Sequence, residues 1–76
     1  MKVTILLFAQ LAELFPTSTL EMEVTSWQEI IENLESKNPD FIGQQYSVAI
    51  NEEIVQNDIV LKDGDIVALL PPFAGG

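Results

Sequence analysis

The sequence ends Pro71-Pro72-Phe73-Ala74-Gly75-Gly76 and contains neither cysteine nor histidine. Those facts frame any chemistry it can do. Without a thiol there is no cysteine nucleophile, without an imidazole no histidine base, and zinc loses its usual ligands. The group on offer is the α-carboxylate of Gly76, where the sequence stops. A carboxylate is a poor electrophile. Adenylation turns it into a mixed anhydride with a good leaving group, and a sulfur nucleophile can then displace the adenylate to leave a thiocarboxylate. A chain without cysteine can carry sulfur in this way. The residues before Gly76 suit delivery. Two prolines cannot continue a strand ladder and hold the backbone stiff and extended. Six extended residues reach roughly 20 Å, and the two glycines have no side chain beyond Cα. Such a tip fits a narrow channel in another protein.

The other titratable groups offer less. Twelve carboxylates stand against three lysines and no arginine, for a net charge of −9 on 76 residues. A carboxylate acid/base pair is conceivable, but no pocket follows from the sequence, and solvated surface acids are the plain reading. The charge argues against nucleic acid, whose phosphates require Lys and Arg, and against anionic membranes. It either favours partners with basic surfaces or simply keeps the protein soluble. No stretch approaches the ~18 apolar residues of a membrane span. The N-terminal MKVTILLFAQ lacks a signal-peptide pattern. A cytoplasmic protein is expected, and the absence of cysteine suits a reducing compartment.

The length fits one domain: residues 1–70 as the folded body and 71–76 as an extended tail. With 47% hydrophobic residues it can fold alone, although a domain so short has a limited core. Lys2 to Phe8 is apolar on both parities, as in a central strand covered on both sides. Gln10 to Phe15 makes a short helix that Pro16 stops. Thr19 to Val24 alternates, with Leu20, Met22 and Val24 opposite Glu21 and Glu23, as in a half-buried strand. Ser26-x-x-Glu29 is a capping box in which each side chain satisfies a free first-turn N–H. Trp27, Ile30, Ile31 and Leu34 then follow on one helical face, read as core, until Asn38-Pro39 ends the helix. Residues 39–45 read as a polar loop, Tyr46 to Ile50 as a third strand and Ile54-Val55 as a short fourth. Lys62-Asp63-Gly64-Asp65 is a turn needing positive φ at Gly64, and Ile66 to Leu70 is the last strand.

One helix and about five strands give an α+β fold, a ubiquitin-like β-grasp: a mixed sheet wrapped on one main helix, with the first and last strands adjacent and parallel in the middle. That arrangement leaves a face over. If Val3, Ile5, Leu7, Val67 and Leu69 meet the helix, then Leu6, Phe8, Ala68 and Leu70 point away, and no second helix exists to cover them. Either a partner covers this apolar patch, or loop 39–45 or the short helix folds over it.

At this point the chain resembles a known family, the small subunits of molybdopterin synthase. VTILLFAQLAEL looks like that family's first strand and Phe-Ala motif. LKDGDIVALLPPFAGG looks like its Asp-Gly-Asp turn, last strand and Pro-Pro-x-x-Gly-Gly tail, and VAIN at 48–51 like its third strand. The resemblance spans essentially the whole chain and is most specific in the tail. Many members carry Arg-Glu where this sequence has Ala12 and Glu13, so no role of that arginine transfers. The resemblance implies a sulfur carrier for molybdenum cofactor biosynthesis that is no enzyme on its own. An adenylyltransferase similar to ubiquitin-activating enzymes would use ATP to activate Gly76. The resulting thiocarboxylate would enter the active site of the large synthase subunit, within a heterotetramer, and pass sulfur to the pterin precursor. The family implies that Phe8, Ile54 and Leu70 bury against the large subunit. The tail residues Pro71, Pro72, Phe73, Ala74 and Gly75 would thread its channel. No bound cofactor and no metal are expected.

Three rivals share the fold. A thiamine-pathway sulfur carrier has the same Gly-Gly end, although the Phe8-Ala9 motif and Pro71-Pro72 favour the molybdenum pathway. A protein modifier would attach Gly76 to target lysines. A non-covalent binding module would use no tail chemistry, and deletion of Gly75 and Gly76 would leave it working. An independent enzyme lacks a recognisable nucleophile–base pair.

Overall fold

Alternating burial along Lys2–Leu7 reveals which of its two apolar faces the molecule covers. In the computed structural model, which describes residues 1–72, this strand (β1) buries Val3, Ile5 and Leu7 and leaves Thr4 and Leu6 partly exposed. The other strands are β2 (Thr19–Glu23), β3 (Ser47–Ile50), β4 (Glu53–Val55) and β5 (Ile66–Leu70), and the helix α1 spans Trp27–Lys37. The sheet order is β2-β1-β5-β3-β4. β1 and β5 run parallel and every other neighbouring pair antiparallel. This is the expected α+β β-grasp, with the first and last strands side by side at the centre.

The core lies between α1 and one face of the sheet. Ile30 and Leu34 from the helix are fully buried against a cluster that includes Val3, Ile5, Leu7, Val48, Val67 and Leu69. Their spacing on α1 is one helical turn, so both point the same way. Trp27 and Ile31, on the flanks of that stripe, are only partly buried. Trp27 therefore rims the core and does not fill it.

Two expectations need correction. First, β1 stops at Leu7 and the next segment, Ala9–Leu14, is a 3-10 helix rather than an α-helix over 10–15. The break follows from Ala9, whose φ of 53° lies in the left-handed region; up to that point the Leu7 N–H still donates to the Ser18 carbonyl at 2.8 Å, in line with the β1–β2 register. Leu11, on this short helix, is completely buried.

Second, segment 39–45 is not merely a polar loop. Pro39–Phe41 forms one 3-10 turn, and Phe41 is among the largest fully buried side chains. Its ring lies 6.1 Å from Phe15 and stacks on Tyr46 at 5.5 Å, within the range of favourable aromatic pairs. Phe41 and Ile42 are adjacent apolar residues in an otherwise polar stretch with no periodicity, and only the fold buries the first and leaves the second exposed. The burial that Phe41 helps create pushes the Tyr46 phenol up, and the charge of Glu35 adds to the shift.

The helix N-terminus also differs in detail. Ser26 caps α1 by accepting from the Glu29 N–H at 3.3 Å. Glu29 does not return the bond to Ser26; its carboxylate accepts from the N–H and, at 2.8 Å, the hydroxyl of Thr25. Those Thr25 bonds, the backbone one foremost, hold the Glu29 carboxyl below its ordinary 4.5.

Candidate functional site

The sheet register places the side chains of the face opposite α1. Leu6 pairs with Ala68, Ala68 with Ala49, and Ala49 with Ile54. Directly paired residues share a face, so one apolar row crosses four strands. Ile66 and Leu70 lie on the same parity of β5. Phe8 keeps extended backbone (φ −124°, ψ 150°), which carries the β1 parity one residue further, level with Leu70.

This face is open. Phe8 is 44% exposed, Ile66 45% and Ile54 53%, while Leu6, Ala68 and Leu70 are partly exposed. Of the two ways considered for covering it, the internal one fails among the described residues. The short helix and segment 39–45 turn their large side chains, Leu11 and Phe41, into the main core instead.

β5 ends at Leu70, paired with Ser47; Pro71 is partly buried and Pro72 exposed. Phe73, Ala74, Gly75 and Gly76 lie outside the described residues. Phe8, Ile54, Leu70 and Pro71 thus sit on, or lead off, one apolar surface. Ile66 belongs to it as well and was not singled out from sequence. Its parity with Ala68 and Leu70 was the available signal.

A hydrogen-bonded corner fixes the start of β5, and hence the register of the strand that ends at Leu70. Gly64 takes φ +89°, as the Asp-Gly-Asp turn required, and its N–H donates to the Lys2 carbonyl at 2.7 Å. The Lys2 N–H donates to Asp63 Oδ1 at 2.7 Å. Asp65 is buried and accepts from the Lys62 N–H at 2.7 Å and from Asn51 Nδ2 at 2.9 Å. Asn51 Oδ1 in turn accepts from the Ile66 N–H at 3.0 Å. Both oxygens of the buried carboxylate have hydrogen-bond donors, which offset its desolvation. The pairing of Asn51 with Asp65 across fourteen positions is a tertiary fact.

Among the described residues no group of three or more His, Cys, Asp or Glu is placed to hold a metal. No helix there is long and apolar enough to cross a membrane.

Over residues 5–76 the chain matches the ThiS family. It belongs to the ThiS family. Members of the ThiS family are small β-grasp sulfur carriers that are not catalysts themselves. The fold agrees. A Pyrococcus furiosus protein described as molybdopterin converting factor, subunit 1, superposes with a TM-score of 0.81 at 26% identity, over 95% of this chain and 98% of the other. A structure of the complex of subunits 1 and 2 of the molybdopterin-converting factor from Helicobacter pylori contains a chain that matches at TM-score 0.73 and 25% identity, with both chains fully covered. The small archaeal modifier protein 1 of Methanosarcina acetivorans shares the fold at TM-score 0.79 and 24% identity, over 99% of this chain and 96% of that one. Within the ThiS family, then, this chain is a carrier or modifier of the ubiquitin-like type.

Proposed function

We propose that this ThiS-family protein is the sulfur-donating small subunit of a molybdopterin synthase. Residues 1–70 serve as the folded body and residues 71–76 as the delivery arm. The observation that carries the reading is the open apolar row ending at Leu70, from which the Pro71-Pro72 arm departs. A carrier needs a surface to dock and a tip to insert, and here they adjoin. Likeness to a chain found in complex with subunit 2 of the Helicobacter pylori factor supports the same choice.

In this reading an adenylyltransferase similar to ubiquitin-activating enzymes joins the Gly76 carboxylate to AMP, consuming ATP and releasing pyrophosphate. A sulfur nucleophile then attacks the carbonyl carbon and AMP leaves, giving the thiocarboxylate. Phe8, Ile54 and Leu70 dock on the large subunit. Pro71, Pro72, Phe73, Ala74 and Gly75 carry the thiocarboxylate into its active site, where sulfur passes to the pterin precursor. Two such transfers build the dithiolene.

The test is an intact mass of the protein from cells, followed by reconstitution with the large synthase subunit. A mass gain of one sulfur-for-oxygen exchange at Gly76, with dithiolene formed on mixing, is expected. Removal of Gly76, or addition of one residue after it, should abolish transfer while the folded body keeps its circular dichroism. Full activity of the untrimmed extended variant overturns the assignment. So does a sulfur-loaded protein that serves only a thiamine-forming system.

A further inference from the structure

Beside the edge strand β4 runs a shallow groove of ≈ 470 Å³ whose walls include Glu53, Ile54, Val55, Asp58 and Val60. β3 pairs with one long side of β4, and no strand among the described residues pairs with the other. The segment after it, residues 56–61, is neither helix nor strand, and its backbone makes no backbone hydrogen bond among the described residues. Free strand-edge donors and acceptors are the means by which proteins bind extended peptides. Val60, 72% exposed, and Ile54 give the groove apolar footholds.

Charge selects the occupant. Glu53 and Asp58 line the groove, Glu52 stands next to it, and residues 50–60 contain no lysine or arginine. A second copy of this chain would bring the same acids and a net −9 against −9, so like charge opposes self-pairing. Residues 73–76 of this chain carry no cationic side chain and are equally unmatched. We propose that the groove beside β4 binds an extended basic peptide segment of a partner protein, which adds as a sixth strand, seats an apolar residue between Ile54 and Val60, and sets Lys or Arg against Glu53 and Asp58. This site goes beyond the sulfur chemistry and does not depend on it. Only Ile54 is common to the two surfaces.

The probe is a six-residue peptide of alternating valine and lysine, titrated into the isotope-labelled full chain and followed by amide shifts and hydrogen exchange. A glutamate-for-lysine peptide is the control. Expected are saturable shifts confined to residues 50–61, slowed exchange in β4 and residues 56–61, and no response to the control. Glu53→Lys combined with Asp58→Lys should weaken binding about tenfold with the remaining spectrum unchanged, and 0.5 M salt should weaken it in the parent. Val60→Lys, fully on the surface, should weaken it independently of the two acids. Equal binding of both peptides overturns the proposal. So do shifts centred on the acids of α1, absence of binding at millimolar peptide, or binding without amide protection in β4.

Discussion

Asn51 and Glu52 show how two neighbouring residues in the same backbone region answer differently to substitution. Both have positive φ, 51° and 73°, and an L-residue there carries a strain of roughly 1 kcal/mol. Glu52 gets nothing in return within the described structure, where its side chain is exposed and unbonded. Asn51 holds the Ile66 N–H and Asp65. Glu52→Gly should therefore stabilise the protein by up to about 1 kcal/mol. Asn51→Gly should destabilise it by about 1–2 kcal/mol, because it leaves an oxygen of the buried Asp65 carboxylate without its donor. Urea unfolding of the two variants measures both, and shifts of the same sign would refute the distinction.

At the scale of elements, α1 and the Pro39–Phe41 turn each rest on one local device. The Glu29 carboxyl has a lowered native pKa through its Thr25 bonds. A depressed carboxylate contributes stability that is present above its unfolded value of 4.5 and lost as pH falls through the native one. The stability gap between the parent and Glu29→Gln should be largest near pH 7 and shrink as pH falls below 4.5 through the lowered native value, as read from thermal unfolding across the acidic range. A gap independent of pH would remove the Thr25 bonds from the account. Phe41 acts through volume. It is 2% exposed and bridges Phe15 and Tyr46. Phe41→Ala should cost about 3–5 kcal/mol, a large share of the total stability of a domain this small. Chemical denaturation would show it, whereas a loss near zero would mean that the segment packs only passively.

For the whole molecule, the decisive feature is the asymmetry of the sheet. One face meets α1 and is sealed; the other keeps Phe8, Ile54 and Ile66 in water. An exposed apolar row next to a net charge of −9 suits a surface that docks on an apolar patch ringed by basic groups. In the proposed synthase the charge would speed the encounter and the apolar row would set the residence time. Phe8→Asp and Leu70→Asp should each weaken binding to the large synthase subunit by about 2 kcal/mol or more, roughly thirtyfold. Titration calorimetry reads the loss, and unchanged far-ultraviolet circular dichroism shows that folding is intact. Unaltered affinity in both variants would detach this face from the partner.

The periodicities of β1, β2, α1 and β5 are written in consecutive residues, because side-chain direction in a strand or helix depends only on local backbone geometry. So are the Gly64 turn, the Ser26 cap and the carrier-like end at Gly75-Gly76. From them followed the β-grasp and the existence of a face without a helix. Other features needed the folded chain. Phe41 entering the core from a polar stretch, Asn51 reaching Asp65 and Ile66, and Ile54 aligned with Ala49, Ala68 and Leu6 are contacts between residues far apart in sequence. Which apolar face stays open depended on where Leu11 and Phe41 find room, and packing decides that because only the closed chain sets the volume left to fill.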